Sequence, residues 1–381
     1  MDKHIDKIWK CIFFTAGMLA ILVCILSCGP YRPVEPLPEG DIVDMHCHVA
    51  CIGAGGSGCF ISDQFRNDWR YHPYLRSFGV SEQELLEKGD GLVVERLSQL
   101  LAESKFVKKA VVLAMDGVYD SEGFLDTYRT QVYVPNEFVA ETVKRYSSNL
   151  LFGASVNPYR KDWRKRLDWA KEHDAVLVKW LPSVMNIDPS DLKLKPFYKK
   201  LAKLKLPLLT HTGKDESIPY SNDELNDPEK LRLPLRMGVK VIAAHIASTG
   251  RYHREGFPPG WYHKECSTTR LVRMMKEYPN LYSDISSLTQ LNKLCYMKEA
   301  LTLDQFSGKL YYGSDFPLTN WRIPLINIRL VSPWYYFFRL TPRQIIAISS
   351  LKNPWDVDVK IKQALGTPTD VFARSQEFLR R

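Results

Sequence analysis

Five short apolar runs in this chain each end in, or contain near their end, side chains that can bind a metal ion. The runs span residues 41–49, 175–180, 206–212, 239–245 and 309–315. The side chains, in chain order, are His46 and His48, Lys179, His211, His245 and Asp315. A polar or charged group at the end of a buried strand costs free energy unless it is paired or used. The recurrence therefore predicts one functional site that is assembled from the ends of several strands.

The body of the chain alternates β-rich runs with amphipathic helical stretches. Three further apolar runs, at residues 109–115, 149–156 and 280–285, bring the number of predicted strands to eight. Apolar residues recur at three-to-four spacing between the strands, which predicts helices. These stretches span residues 162–173, 196–205, 227–237 and 268–278. Eight βα units predict the α/β class and a closed (β/α)8 TIM barrel, with insertions after strands 1 and 8.

Composition and charge are those of an ordinary globular protein. Of the 381 residues, 45% are hydrophobic and 25% are charged, which is enough apolar material for a large core. The formal net charge is +9, but the basic residues are scattered along the body. Nucleic-acid binding requires a clustered basic face or a recognition motif, so we do not expect a nucleic-acid partner.

The first 28 residues have the pattern of an export segment. Lys3, Lys7 and Lys10 precede an uncharged apolar stretch at residues 11–27. The stretch ends in Leu26-Ser27-Cys28-Gly29, which resembles a bacterial lipoprotein cleavage site with Cys28 as the lipidated residue. An uncleaved anchor helix is the alternative. Both predict a membrane-anchored protein of the bacterial cell envelope, with its body on the periplasmic or extracellular side.

A proline-rich tether follows at residues 29–40, and the domain is predicted to span residues 41–381. Pro30, Pro33, Pro36 and Pro38 favour an extended, stiff connection.

Three cysteines lie close together at the start of the domain. Cys47, Cys51 and Cys59 lack the paired C-x2-C unit of a zinc knuckle. We expect a Cys51–Cys59 disulfide or plain buried thiols in preference to a structural zinc site.

A barrel accounts for the positions of the six candidate ligands. Catalytic groups of such folds lie at the carboxyl ends of the strands. His46 and His48 are two residues apart on one strand, so both side chains leave the same face and can reach one ion. Imidazoles and a carboxylate suit Zn²⁺ or a similar divalent ion, and a catalytic site keeps a position open for water.

The ligand order resembles that of the amidohydrolase superfamily. Asp44-x-His46-x-His48, Lys179, His211, His245 and Asp315 fall on predicted strands one, four, five, six and eight. Further segments resemble the amidohydrolase-related branch, which contains metal-dependent hydrolases and decarboxylases. They are His211-Thr212-Gly213, LPLRMGVKVIAAH at residues 233–245, Gly313-Ser314-Asp315-Phe316-Pro317 and Asn353-Pro354-Trp355. The resemblance covers roughly residues 41–366, and its specificity comes from five motifs in order.

The resemblance implies a role for each residue. His46, His48 and Asp315 hold the metal, Asp315 also serves as general base, and His211 completes the ligand set. His245 binds a second ion or polarises the substrate carbonyl.

Lys179 decides between a one-metal and a two-metal site, and both alternatives stay open. Two-metal members of the superfamily carry a carbamylated lysine on strand four that bridges the ions. The other interpretation is an ion pair with Asp315 or a charge that orients a substrate carboxylate.

The leading function is hydrolysis of an amide, lactone or ester of a small molecule by a metal-bound hydroxide. Metal-dependent decarboxylation of a small carboxylic acid is the alternative, since a positive cleft could hold a carboxylate. A non-catalytic binding protein is a third hypothesis, and the completeness of the ligand set speaks against it.

Weaker candidates surround these residues. Asp44 supports the metal histidines or organises local hydrogen bonds. The glycine-rich residues 53–58 lack the ending of a phosphate loop, which favours a flexible loop near the site. Further residues follow strands five, six and eight and could line the cleft or form an aromatic lid. They are Glu216, Arg251 and Arg254, with Trp321, Trp334, Tyr335 and Tyr336 for the lid.

Overall fold

The chain folds into a parallel barrel in the computed structural model. The structure describes residues 36–38, 41–215, 217–219, 221–248, 267–290, 293, 308–318, 340 and 342–379. The strands are β1 (Ile42–His48), β2 (Phe60–Ile61), β3 (Val107–Leu113), β4 (Val132–Tyr133), β5 (Leu150–Gly153), β6 (Val178–Trp180), β7 (Leu208–Thr210), β8 (Val241–Ala243), β9 (Leu281–Asp284) and β10 (Leu310–Tyr311). All except β2 and β4 belong to the barrel, so the eight predicted strands are confirmed.

Hydrogen bonds close the barrel at two seams. Parallel pairing joins β1, β3 and β5 in one group and β6 to β10 in another. Ala154 links β5 to β6, because its N–H donates to Leu177 O at 2.9 Å and its carbonyl accepts from Lys179 N at 2.7 Å. At the other seam Asp315 N donates to His46 O at 2.9 Å, and His48 N donates to Phe316 O at 2.7 Å. The predicted (β/α)8 architecture is confirmed, because the eight strands form a closed ring.

Helices follow most strands and pack around the ring. They are α1 (Asp63–Arg66), α2 (Tyr71–Ser77), α3 (Glu82–Lys88), α4 (Gly91–Ala102), α5 (Asn136–Arg145), α6 (Trp163–Glu172), α7 (Pro182–Met185), α8 (Lys195–Leu204), α9 (Arg232–Arg236), α10 (Ser267–Glu277), α11 (Pro342–Ser349), α12 (Pro354–Ala364) and α13 (Thr369–Arg374). The predicted helices at residues 162–173, 196–205 and 268–278 match α6, α8 and α10 within two residues. The stretch at 227–237 is a 3-10 turn, Pro228–Leu231, followed by the short α9.

The barrel strands are buried on both faces, as their apolar sequences require. Val43, Val111, Leu209 and Ile242 form a cluster inside the ring, together with Tyr311. Their neighbours along the strands belong to the larger core between the ring and the helices. The 3-10 turn Ser375–Leu379 lies at the amino-terminal end of the barrel, where Phe378 packs 5.8 Å from the Tyr311 ring. The interior is therefore a packed core, and the opposite end is left for a site.

The predicted insertion after strand 1 is present between β1 and β3. It contains α1 to α4 and β2, which pairs antiparallel with β4. Most of the segment after strand 8 lies outside the described residues, as do the export segment 1–28 and nearly all of the tether 29–40. Among the residues that the structure describes, no helix is long and apolar enough to cross a membrane.

Candidate metal centre

Strand β1 carries two histidines at the carboxyl end of the barrel. His46 is fully buried and His48 is partly buried, and they alternate with Cys47 and Val49, which belong to the outer core. The period of two puts both imidazoles on the inner face. Their Nε2 atoms lie 3.1 Å apart. Two imidazole nitrogens at this separation can serve a single ion.

Asp315 completes a three-residue cluster with these histidines. Its Oδ1 lies 3.5 Å from His46 Nε2 and 3.6 Å from His48 Nε2. The Nε2 atoms and the carboxylate lie within 4.8 Å of one another. Asp315 has a φ of +66°, an unfavourable conformation for a non-glycine residue. The backbone hydrogen bond from Asp315 N to His46 O maintains this position at the second barrel seam.

Lys179 reaches the same cluster from β6. Its side chain is fully buried, and Nζ lies 2.8 Å from His46 Nε2. Burial lowers the pKa of this amine to about 8. Within the described part of the chain Lys179 forms no ion pair with Asp315, so that alternative interpretation of the lysine is not observed.

His211 and His245 follow β7 and β8 and close the group of six. The His245 ring lies 5.0 Å from the rings of both His46 and His211, measured between centroids. His245 Nε2 is 4.0 Å from Asp315 Oδ2. Among the described residues, His211 Nε2 and His48 Nδ1 are buried without a hydrogen-bond partner. A buried imidazole nitrogen with no partner is costly, and an ion would satisfy His211 Nε2.

Burial keeps three of these histidines neutral. It lowers the pKa of His211 to about 4 and holds the pKa values of His48 and His245 well below the ordinary range. Neighbouring positive groups, including Lys179, add to the effect. A neutral imidazole keeps a lone pair on one ring nitrogen, which is the form that binds a metal.

The backbone after β8 is strained at the site. His245, Ile246 and Ala247 have φ values of +59°, +48° and +54°, three consecutive residues in the left-handed region. Non-glycine residues in this region persist only when surrounding contacts enforce it. Here Asp284 Oδ1 accepts from His245 N at 2.8 Å, and Ser283 Oγ accepts from Ile246 N at 3.2 Å.

Asp44 organises hydrogen bonds and does not face the cluster. It accepts from His46 N at 3.0 Å, Ser314 N at 2.8 Å and Trp355 Nε1 at 2.8 Å. Burial raises the pKa of its carboxyl group. Asp44 therefore ties β1 to the Gly313–Pro317 motif and to the start of α12, which explains why the Asn353-Pro354-Trp355 motif accompanies a site on a distant strand.

Two site residues were missed in the sequence. Asp284, at the end of β9, lies 2.8 Å from His46 Nδ1 through Oδ2, and Ser286 Oγ contacts both His46 and His245. Burial alone would raise the pKa of Asp284, but the electrostatic attraction and hydrogen bond of His46 lower it to about 2. Asp284 ends a buried strand in the same way as the six predicted residues, and this signal could have identified it.

The cysteines near β1 are buried, unbonded thiols. Cys51 and Cys59 lie near Asp90, with their ligand atoms within 4.8 Å of one another. Asp90 is already engaged, because its oxygens accept from Ile52 N, Gly53 N and Ser57 Oγ. The Asp90 carboxylate thus organises the glycine-rich loop, and plain thiols, one of the two favoured alternatives, are observed.

Glu216, Arg251 and Arg254 lie outside the described residues, and so do the four aromatic residues of the predicted lid. His173 is exposed at the end of α6 and stacks on Trp169, so it takes no part in the cluster.

No protein-family model and no curated protein matches the sequence. The chain is similar in structure to an uncharacterized TIM-barrel protein from Bordetella bronchiseptica, with 14% identity, 85% of this chain and 99% of that chain covered, and a TM-score of 0.49. A 5-carboxyvanillate decarboxylase from Novosphingobium aromaticivorans with bound manganese matches at 12% identity, 91% and 100% coverage, and a TM-score of 0.44. A dihydroorotase from Campylobacter jejuni matches at 15% identity, 75% and 72% coverage, and a TM-score of 0.38.

Fold and site together define a class of protein. It is a (β/α)8 barrel with a buried cluster of histidine, aspartate and lysine side chains at the carboxyl ends of its strands. The strands on which the sequence analysis places these side chains are those on which the structure shows them, so the predicted fold and strand assignment are confirmed.

Proposed function

We propose that this protein is a metal-dependent enzyme of the amidohydrolase-related branch of the amidohydrolase superfamily, and that it hydrolyses an amide, lactone or ester of a small molecule. The observation that supports this most is the cluster of His46, His48 and Asp315 at the carboxyl end of the barrel. Two imidazoles and one carboxylate, buried or partly buried and close to one another, form the donor set of a catalytic divalent-metal site.

The residues fit such an ion by their chemistry. His46, His48 and Asp315 would hold it, and the unpartnered His211 Nε2 would add a fourth donor. Zinc and manganese both accept imidazole and carboxylate ligands. A second ion would need His245 and a carbamylated Lys179, and we keep this as the alternative to a single ion.

A bound divalent cation would polarise a carbonyl group and make water more acidic. The protein's own residues then have separate tasks. Asp315, which lies within 4.0 Å of three histidine Nε2 atoms, is placed to accept a proton from water. His245, whose Nε2 lies 4.0 Å from Asp315 Oδ2, is placed to orient the substrate carbonyl. The packed barrel interior beneath the cluster excludes water from that side.

Metal content and product analysis test this proposal. The full chain and its His46→Ala and Asp315→Asn variants would be compared, with His173→Ala as a matched control because that histidine is exposed. We expect bound metal in wild type and control, and a loss of metal in the two site variants. A panel of amides, lactones, esters and small carboxylic acids in ¹⁸O-labelled water then identifies the reaction.

The outcomes separate the candidate functions. Incorporation of ¹⁸O into the organic product supports hydrolysis. Release of CO2 together with an organic product that carries no ¹⁸O would replace hydrolysis by decarboxylation; the oxygens of CO2 itself exchange with water and are not used. A chain that binds no metal, or that keeps its metal in both site variants, would contradict the site assignment and favour a binding protein.

We also propose that the chain is exported and anchored through a lipid on Cys28. The support is the charged and apolar pattern of residues 1–28. Intact-mass analysis of wild type and the Cys28→Ala variant tests this, because only the wild-type chain can carry the acyl groups and lose residues 1–27. Masses that differ only by the substitution itself would contradict the lipid anchor.

A further inference from the structure

Asp284 and Ser286 contact the Nδ1 side of two candidate ligands, His46 and His245, whereas Asp315 lies on their Nε2 side. Asp284 Oδ2 is 2.8 Å from His46 Nδ1. Ser286 Oγ is 2.5 Å from Asp284 Oδ1, 2.8 Å from His245 Nδ1 and 3.0 Å from His46 Nδ1. Both residues are fully buried, so water does not compete for these contacts.

The proton positions follow from which groups can donate. An ionised carboxylate only accepts hydrogen bonds, so the hydrogen between Asp284 and His46 belongs to His46 Nδ1. For the same reason the single hydroxyl proton of Ser286 points to Asp284 Oδ1. The lone pairs of Ser286 Oγ then accept, and the hydrogen of their contact with His245 belongs to His245 Nδ1.

We infer that Asp284 fixes the Nδ1–H tautomer of two histidines at once, directly for His46 and through the Ser286 hydroxyl for His245. The inference rests on the proposed function, because its consequence is to aim both Nε2 lone pairs at the cluster around Asp315. A hydrogen bond to the far nitrogen of a metal-binding histidine sets its tautomer and ring orientation. Asp284 and Ser286 are thus positioning residues.

The contact on the Nε2 side of His46 is consistent with this assignment. His46 Nε2 lies 2.8 Å from Lys179 Nζ, a group that donates as an ammonium. Asp284 also accepts from His245 N at 2.8 Å and from Ser286 N at 3.1 Å, which fixes the backbone that carries the second histidine. One carboxylate therefore controls both the ring and the backbone of the site.

The same group of residues does not form a second metal site. His46, His245 and Asp284 bring ligand atoms within 4.8 Å of one another. However, Ser286 Oγ lies within hydrogen-bond distance of all three and takes the central position. A hydroxyl there serves as a hydrogen-bond bridge.

His48 provides an internal comparison. Its Nδ1 is buried and has no hydrogen-bond partner among the described residues, whereas its Nε2 lies 3.1 Å from His46 Nε2, an acceptor that places the hydrogen of this contact on His48 Nε2. We expect metal binding to change the tautomer of His48 and to leave those of His46 and His245 as they are in the metal-free chain.

The direct test is ¹⁵N NMR of the metal-free full chain with labelled histidine, assigned with His46→Asn and His245→Asn variants. We expect protonated Nδ1 and unprotonated Nε2 in both residues. Protonated Nε2 at either residue would overturn the inference. This readout needs no metal, so it stays informative even if the proposed function fails.

Two variants test the consequence for metal binding. We expect Asp284→Asn to weaken metal affinity by about 10- to 100-fold. Ser286→Ala keeps the Ser286 carbonyl oxygen, 3.2 Å from His245 Nδ1, as a second acceptor, so we expect a smaller loss, up to about tenfold, with any tautomer change confined to His245. The matched control is Ser98→Ala, because Ser98 is a buried serine whose Oγ donates to Asn149 Oδ1 at 2.9 Å and not to a group of the site. Wild-type tautomers and affinity in Ser286→Ala, with a native circular dichroism spectrum, would contradict the role of the hydroxyl.

Discussion

At the scale of single residues, Lys179 is the unusual feature. Lys179 is fully buried and has no carboxylate within ion-pair distance among the residues that the structure describes, which is rare because burial disfavours the ammonium form. With a pKa of about 8, a substantial fraction of the amine is neutral near physiological pH. A neutral amine can attack CO2, forming an N–C bond and releasing a proton. The environment is therefore suitable for carbamylation, which the resemblance implies for two-metal sites.

We expect Lys179→Ala to bind fewer ions per chain than wild type, because the substitution removes the carbamate oxygens that would bridge two ions. Metal per chain would be measured with and without added bicarbonate. Lys230→Ala is the control, since Lys230 pairs with Asp188 at the surface and lies away from the cluster. Equal ion counts in Lys179→Ala and wild type would show a one-metal site and leave Lys179 a role in orienting substrate.

At the scale of elements, the start of α12 links stability to the site. Asn353 Oδ1 accepts from Trp355 N at 3.1 Å, which caps the helix, and Asn353 Nδ2 donates to Leu100 O at 2.7 Å. Pro354 occupies the first helical position, where its missing N–H has no cost. Trp355 then donates to Asp44, which holds β1 beside the Asp315 loop.

Replacing Asn353 by alanine should lower the free energy of unfolding by about 1–2 kcal/mol, because the helix loses its cap and the Leu100 contact. Urea unfolding measures the change. The control is Ser81→Ala, which removes the cap of α3 at an exposed position. We expect a smaller loss there, because an exposed amide can bond to water. A smaller effect at Asn353 than at Ser81 would contradict the assigned role.

At the scale of the whole molecule, the barrel and the site should depend on each other. The six candidate ligands come from five strands, and β1 and Asp315 meet at a barrel seam. An ion bound by these side chains therefore joins parts of the chain that are far apart in sequence. An ion that binds only the folded chain stabilises it by mass action.

We expect a chelator to lower the melting temperature and added zinc or manganese to restore it. At an ion concentration of about 100 times the Kd, the stabilisation is about 2.7 kcal/mol. Thermal unfolding of wild type and Asp315→Asn tests this, because the variant should respond to neither treatment. A wild-type melting temperature that is insensitive to the chelator would indicate that no ion contributes to the folded state.

Much of the fold was predictable from local pattern. The eight barrel strands and three of the four predicted helices were found, because apolar runs and three-to-four spacing reflect burial on one element at a time. The short helices α1 to α3 in the insertion after strand 1 were not predicted, because they have too few turns for a periodic signal. The ribbon of β2 and β4 is two residues long per strand and leaves no pattern.

The sequence by itself determined which strands exist and which of them end in metal-binding side chains, because both are properties of short segments. Only the tertiary structure decided what those side chains touch. Asp284 and Ser286 are about 240 residues from His46 in the sequence, and Trp355 is 311 residues from Asp44. Such contacts arise when the barrel closes and brings the strand ends together, and no local pattern of residues encodes those distances.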